Sequence, residues 1–240
     1  MSPPDLSFIH WKHVRFLPQD LDPAPELNFT VQSTTLSQDM NVWVVHNARG
    51  QLSQAGIPAL DATQVGPSLV LRLYPFENGE QVRNADLQNL AVLQHALRPF
   101  NGAVVAPSFV VPGIVYVRRE MKIPALLMAA VDGTSVQSLP GGGPYARGVL
   151  ARAAGSLQQL GSALHRQGMT LGYISASNVM LEHARLRPED DGWGPRALSG
   201  RVVLTNWTDL RDRTTNTQTS AHRFHEEIRR LVDTITRLAQ

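Results

Sequence analysis

A chain of 240 residues has room for one large domain or two smaller units, and its 42% apolar and 18% charged residues are ordinary for a globular protein. With no Cys, disulfides and thiolate metal sites are excluded, and the composition fits a reducing compartment. The net charge is only +2. The pI near 9.3 comes from Arg, because Lys12 and Lys122 are the only lysines. Basic and acidic residues interleave, as in Arg223-Phe224-His225-Glu226-Glu227-Ile228-Arg229-Arg230, which reads as a solvated helix face and not as a nucleic-acid stripe. No apolar run nears the roughly 18 residues of a membrane span. The opening Met1-Ser2-Pro3-Pro4-Asp5 has no basic or apolar leader pattern, so a cytoplasmic location is expected.

Residues 1–26 hold five prolines and predict an extended lead-in with one short strand around His13 to Phe16. Leu27 to Gln32, Asn41 to His46 and Ser68 to Tyr74 predict strands, with a polar loop over Gln51 to Pro67. Ala85 to Leu97 predicts a helix with Leu87, Leu90, Leu93 and Leu97 on one face. Gly113 to Arg119 and Ala125 to Val131 predict two more strands. Asp132-Gly133-Thr134 and Gly141-Gly142-Gly143-Pro144 then read as a connector. The triple Gly lacks the Gly-Lys-Ser/Thr of a phosphate-binding loop. Tyr145 to Gln167 predicts the strongest helix, with Gly168 as its C′ residue. Short strands follow at Asn178 to Leu181 and Arg201 to Thr205, separated by an acidic excursion from His183 to Gly200. Arg211 to Ser220 reads as polar loop. Ala221 to Gln240 predicts an amphipathic helix faced by Phe224, Ile228, Leu231, Ile235 and Leu238.

Leu164-His165-Arg166-Gln167-Gly168, then Gly172-Tyr173-Ile174-Ser175-Ala176-Ser177-Asn178-Val179-Met180-Leu181, then Val202-Val203-Leu204-Thr205-Asn206-Trp207, resemble the catalytic core of protein-kinase-like folds. That core reads L-H-x-x-G, H-G-D-x-x-x-x-N-I-L-L, and an apolar strand ending in D-F-G. The resemblance is specific only over Leu164 to Leu210, and in element order it extends from Leu27 to the end. It implies an α+β, bilobal protein-kinase-like fold with a β-rich N-lobe (27–132) and a truncated, mainly helical C-lobe (133–240). The family's further helices are missing, so the C-lobe is minimal or the chain is one domain of something larger.

Phosphoryl transfer in that family depends on positioning and charge neutralisation. The glycine-rich loop position, Ser33 to Met40, has no glycine. Arg72 stands near the place of the strand-three Lys, where a forked guanidinium is not a conservative exchange, and a snorkelling surface Arg is an equal reading. The helix that should supply a Glu offers Asp86 and Gln88. The base position is Tyr173, whose phenol has an ordinary pKa of about 10 and reads as structural filler. Asn178 matches the family's metal-binding Asn and reads as a structural hydrogen-bonding residue. Asn206 replaces the metal-binding Asp, and Mg²⁺ prefers charged oxygen. Trp207 takes the core position of the D-F-G Phe. His222 and His225 have no third ligand at metal spacing, and Ser175 and Ser177 have no nucleophile-elbow frame.

What the resemblance implies is a pseudokinase that binds another protein, with no catalytic residues, no metal, no cofactor and weak or absent nucleotide binding. A second reading is an atypical kinase or transferase with a rearranged site built on Arg72, Asp209 and Asp212, although Asp209 follows the strand at the wrong offset. A third is a mixed α+β protein that touches nucleic acid through dispersed Arg. The loops at Gln51 to Pro67 and His183 to Gly200 are the candidate contact surfaces, with tolerated surface insertion as the equal alternative.

Overall fold

The computed structural model describes residues 13–19, 24–36, 41–46, 52, 68–107, 110–117, 121–139, 147–172, 174–184, 197–211 and 217–240. In chain order the elements are β1 (His13–Pro18), β2 (Leu27–Leu36), β3 (Asn41–His46), β4 (Ser68–Leu73), α1 (Gly79–Leu97), β5 (Val104–Val105), β6 (Val110–Val117), β7 (Met121–Ala129), β8 (Gly133–Ser135), α2 (Arg147–Arg166), β9 (Thr170–Leu171), β10 (Val179–His183), β11 (Leu198–Leu204), β12 (Leu210–Arg211) and α3 (Gln218–Leu238). The fold is mixed α+β, and the chain divides into two compact units. The expected Tyr173 filler, the triple Gly, most of the Gln51 to Pro67 loop and the centre of the acidic excursion lie outside the described residues.

The first unit comprises Met1–Ala85 and Phe109–Ala130. Six strands close into an antiparallel barrel in the order β1-β2-β3-β4-β7-β6. Closure is made by β1, whose Arg15 and Leu17 lie opposite Tyr116 and Ile114 of β6. Successive side chains of a strand point to opposite faces. The inward set is therefore alternate and apolar: Val14 and Phe16, Leu27 and Phe29, Trp43 and Val45, Leu69, Leu71 and Leu73, then Ile123, Ala125 and Leu127. Gly113 leaves room among them, because a Cβ there would collide with the Phe16 ring and stand 2.5 Å from the Leu17 carbonyl.

Helix α1 begins six residues before the start that its leucine spacing predicts. The added turns carry no apolar stripe. They are anchored by Arg83, which is 2% exposed and donates from Nη1 to the Gly113 carbonyl at 3.1 Å. Its Nη2 reaches Asn84 Oδ1 at 2.9 Å and Glu80 Oε1 at 3.4 Å. Three acceptors make this buried cation tolerable, and apolar periodicity cannot report it.

The second unit comprises Asp86–Ser108 and Val131–Gln240. Its larger sheet has the order β5-β11-β10-β8. β10 pairs antiparallel with both β11 and β8, while β5 adds parallel to β11 through Val202 opposite Val104. The residues Gly133 and Thr134, read from sequence as a connector, thus form an edge strand. Gly133 suits it, since a Cβ would meet the Leu181 carbonyl at 2.5 Å. β9 and β12 form a separate two-stranded ribbon.

Helix α2 buries Leu150, Leu157, Leu160 and Leu164, and α3 buries Phe224, Ile228, Leu231 and Ile235. The two helices meet where Ile228 lies against Gly161. α2 ends as its sequence predicts. Gly168 has φ +71°, its N–H reaches the His165 carbonyl at 2.8 Å, and the Met169 N–H reaches the Leu164 carbonyl at 2.8 Å. This paired closure needs a left-handed residue, which Gly adopts without cost from a Cβ. α3 starts at Thr217, whose hydroxyl accepts the Ser220 N–H at 3.1 Å.

Candidate functional site

Two loops of the second unit hold Asn178, Asn206 and Asp209 of the positions that sequence singled out. One runs from the end of α2 through β9 to β10, the other from β11 to β12. The β9–β12 ribbon joins them, with Leu171 opposite Leu210 and Thr170 opposite Arg211. The Gly172 N–H donates to the Asp209 carbonyl at 2.7 Å. Gly172 is required for that approach: a Cβ would collide with the Asp209 carboxylate.

Asn178 works inside its own turn. Its Oδ1 accepts the Ser175 N–H at 2.8 Å. Its carbonyl accepts both the N–H and the hydroxyl of Thr205 at 3.0 Å. The residue thus ties the first loop to the second. Asn206 bonds within the second loop, where its Oδ1 accepts the Thr208 N–H at 3.2 Å and the Thr208 hydroxyl at 2.7 Å. An amide oxygen has two lone pairs, and these two bonds engage both. A neutral oxygen committed in this way is a poor ligand for Mg²⁺, which binds through carboxylates and water.

Asp209 is the carboxylate that a rearranged site would use. It forms a fork with Arg211, Oδ1 to Nε at 3.2 Å and Oδ2 to Nη2 at 3.1 Å. Arg211 also donates to Ser220 Oγ at 2.8 Å, carrying the link to the start of α3. Asp212, the other acid of that reading, lies outside the described residues. Among the described residues no three His, Asp or Glu side chains gather in a cluster that could hold a metal ion.

Trp207 takes the core position expected of it. It is 1% exposed, and its indole N–H donates to the Asp86 carbonyl of α1 at 2.9 Å. One helical turn on, Asn89 Nδ2 donates to the Thr208 carbonyl at 3.0 Å. The loop after β11 is therefore fastened to α1 at two successive points. The residues are individually visible in the sequence, but a side chain reaching a main-chain carbonyl 121 positions away leaves no local pattern.

Arg72 lies on β4 with a side chain that faces away from the barrel core, paired across the sheet with Val42 and Leu126. It is 4% exposed, which corrects the reading of a snorkelling surface arginine. Asp86 on α1 is 1% exposed, and Gln88 is exposed. Neither Arg72 nor Asp86 is without a partner.

One constellation has no motif in the sequence. His183 at the end of β10 places Nε2 2.9 Å from Thr134 Oγ1 and Nδ1 3.0 Å from Asp132 Oδ1. The His183 N–H also donates to the Asp132 carbonyl at 2.9 Å. The ring staples the edge strand β8 to β10, with the pairing of Leu181 and Thr134 beside it.

No family model matches the chain, and no curated protein matches it. Among solved structures it has a distant likeness to vaccinia related kinase 3, at 15% identity and a TM-score of 0.40, over 76% of this chain. The chain spans 48%, about half, of that protein. At that identity and TM-score the likeness carries no argument about function.

Proposed function

We propose that this chain is a kinase-like module without phosphoryl transfer, acting in the cytoplasm as a binding or regulatory partner of another protein. In this reading residues 27–132 and 133–240 are its two lobes, and Arg72, Tyr173, Asn178 and Asn206 stand at degenerate catalytic positions. The observation that carries it is the engagement of Asn206, whose amide oxygen is held twice by Thr208 where a metal-binding carboxylate would be needed. Loss of charge neutralisation at a reacting phosphate removes several kcal/mol of barrier lowering, on the order of 3–4 kcal/mol per donor. The Arg211 fork on Asp209 argues in the same direction, because an alternative metal ligand would first have to leave its cation.

Thermal unfolding with and without millimolar ATP, each with and without Mg²⁺, tests the reading. A nucleotide at about 100 times its Kd would add about 2.7 kcal/mol, roughly 5–10 °C for a chain of this size. The expected result is a flat melting temperature in all four conditions and no transfer of the γ-phosphate. A shift that needs Mg²⁺, with turnover lost in Asp209→Ala, would overturn the proposal in favour of a rearranged enzyme.

A further inference from the structure

Helix α2 contains three glycines, at 148, 155 and 161. Gly inside a helix destabilises it relative to Ala, so each position calls for a reason. Gly161 has one in the packing of Ile228, whose Cγ2 would stand 3.2 Å from a Cβ there. At both Gly148 and Gly155 nothing lies within 4 Å of where a Cβ would be, and of the two it is Gly155 that lines a groove, of about 510 Å³. The floor is a stripe of α2 made by Gly155, Gln159, Ser162 and Arg166, and Pro99 and Phe100 form a wall. The spacing i, i+4, i+7, i+11 keeps these residues on one face. At 1.5 Å per residue the stripe runs for about 16 Å, the length of a three-turn helix.

The one charged side chain among the residues that line the groove is basic, Arg166. The two segments that supply the lining, the short 98–100 turn and helix α2 (147–166), contain four Arg and no Asp or Glu. The whole chain is only +2, so the remainder carries a net charge of −2. Of the four, Arg166 lines the groove, while Arg98 adjoins Pro99 and Arg152 lies one turn before Gly155. A nucleic-acid backbone requires a line of cations along its phosphates. One lining Arg, with amide and hydroxyl groups beside it and a bare Gly floor, suits a carboxylate next to an apolar side chain.

We infer that this groove docks an acidic amphipathic helix of a partner protein, an inference that rests on the protein-binding reading above and names its surface. Apolar residues of the incoming helix sit over Gly155 and against Phe100. Its carboxylates face Arg166, Arg98 and Arg152. The mode is a helix laid in a groove, read through anchors on one face.

A displayed library of random 16-residue peptides, selected on the intact chain, supplies the probe, and fluorescein-labelled winners are titrated by anisotropy. The expected winners are rich in Asp and Glu, with apolar residues three and four apart. Their binding weakens at least tenfold in Gly155→Trp and in Arg166→Glu, and is unchanged in Arg223→Glu on α3. Replacing the winners' acids by Lys restores binding to Arg166→Glu. Melting curves check that each variant folds, and Gln159→Glu replaces Gly155→Trp if that variant does not. Basic or uncharged winners would overturn the inference. Acidic winners indifferent to both groove variants would place docking elsewhere, which sinks the groove and leaves the binding-module reading standing. Self-association abolished by Gly155→Trp would make the occupant a second copy and overturn it too. No winners at all would also sink the groove, while the ATP and phosphate-transfer measurements decide the broader reading separately.

Discussion

Replacing Trp207 by Phe keeps an aromatic ring in the core and removes the indole N–H that reaches the Asp86 carbonyl. A buried acceptor deprived of its donor costs about 1–3 kcal/mol. Urea unfolding of Trp207→Phe is expected to show a loss of about 1–2 kcal/mol, and Trp207→Ala a loss of about 3–5 kcal/mol, since a large buried side chain is then deleted. Equal stabilities of Phe and wild type would mean that the bond contributes nothing. Gly172 gives a second case. A Cβ there collides with the Asp209 carboxylate, so Gly172→Ala is expected to cost about 1–3 kcal/mol, as overpacking does. Adding Asp209→Ala should recover part of that loss, and a double-mutant cycle reads the coupling; strict additivity would refute the contact. At this scale the sequence is informative about identity and silent about partners. Asn178 and Asn206 declare themselves as neutral residues at their positions. Asn206 bonding Thr208 is a local turn contact two residues on, whereas the reach of Arg83 to the Gly113 carbonyl depends on chain folding that no spacing encodes.

Among the elements, α2 and α3 are the most legible, because the 3.6-residue period of their leucines and isoleucines is strong and α2 ends at Gly168; α3 begins at Gln218, inside the stretch that reads as polar loop, because Thr217 caps it. α1 was legible only in its second half, where leucines recur; its first turns are polar and held by Arg83. The glycines of α2 allow a comparison. Gly155→Ala meets open space and should raise stability by about 0.5–1 kcal/mol through helix propensity. Gly161→Ala meets Ile228 at 3.2 Å and should gain less or lose. Melting temperatures in the reverse order would contradict this packing. The helix pair also carries a pH dependence. His225 stacks edge-on to His165 at 4.8 Å. Burial first, then the charges of His165, Arg229 and His222, hold its pKa below the ordinary 6.5, while Glu226 is paired with His222. The unfolded chain therefore binds the His225 proton more tightly than the folded one. The contribution is fully present above about pH 6.5 and is lost as the pH falls through the folded pKa. Melting temperatures between pH 8 and pH 5 should fall less in His225→Gln than in the wild type, and parallel curves would remove His225 from the account.

For the molecule as a whole, the two units each have a buried core, and each contains a buried tryptophan: Trp43 in the barrel and Trp207 in the second unit. The barrel was the least legible feature. Its strands announce themselves by alternation, but closure depends on β1 finding β6 across about one hundred residues, with Gly113 making way for Phe16. Pairing of that kind is long-range and leaves no local trace. It also makes the two cores separable in an experiment. Helix α1 is shared by the units, its first seven residues with the barrel and the rest with the second unit, so a perturbation is expected to be transmitted only in part. In a background with Trp11 and Trp193 replaced by Phe, single-tryptophan versions retaining Trp43 or Trp207 report each core. Gly113→Val forces a branched side chain against the Phe16 ring and should lower the urea midpoint seen by Trp43 by well over the change seen by Trp207. Coincident midpoints that move together would show one cooperative unit instead. Divergent midpoints would mean that a partner bound to the second unit can stabilise it without stabilising the barrel, since a ligand stabilises only the cooperative unit to which it binds.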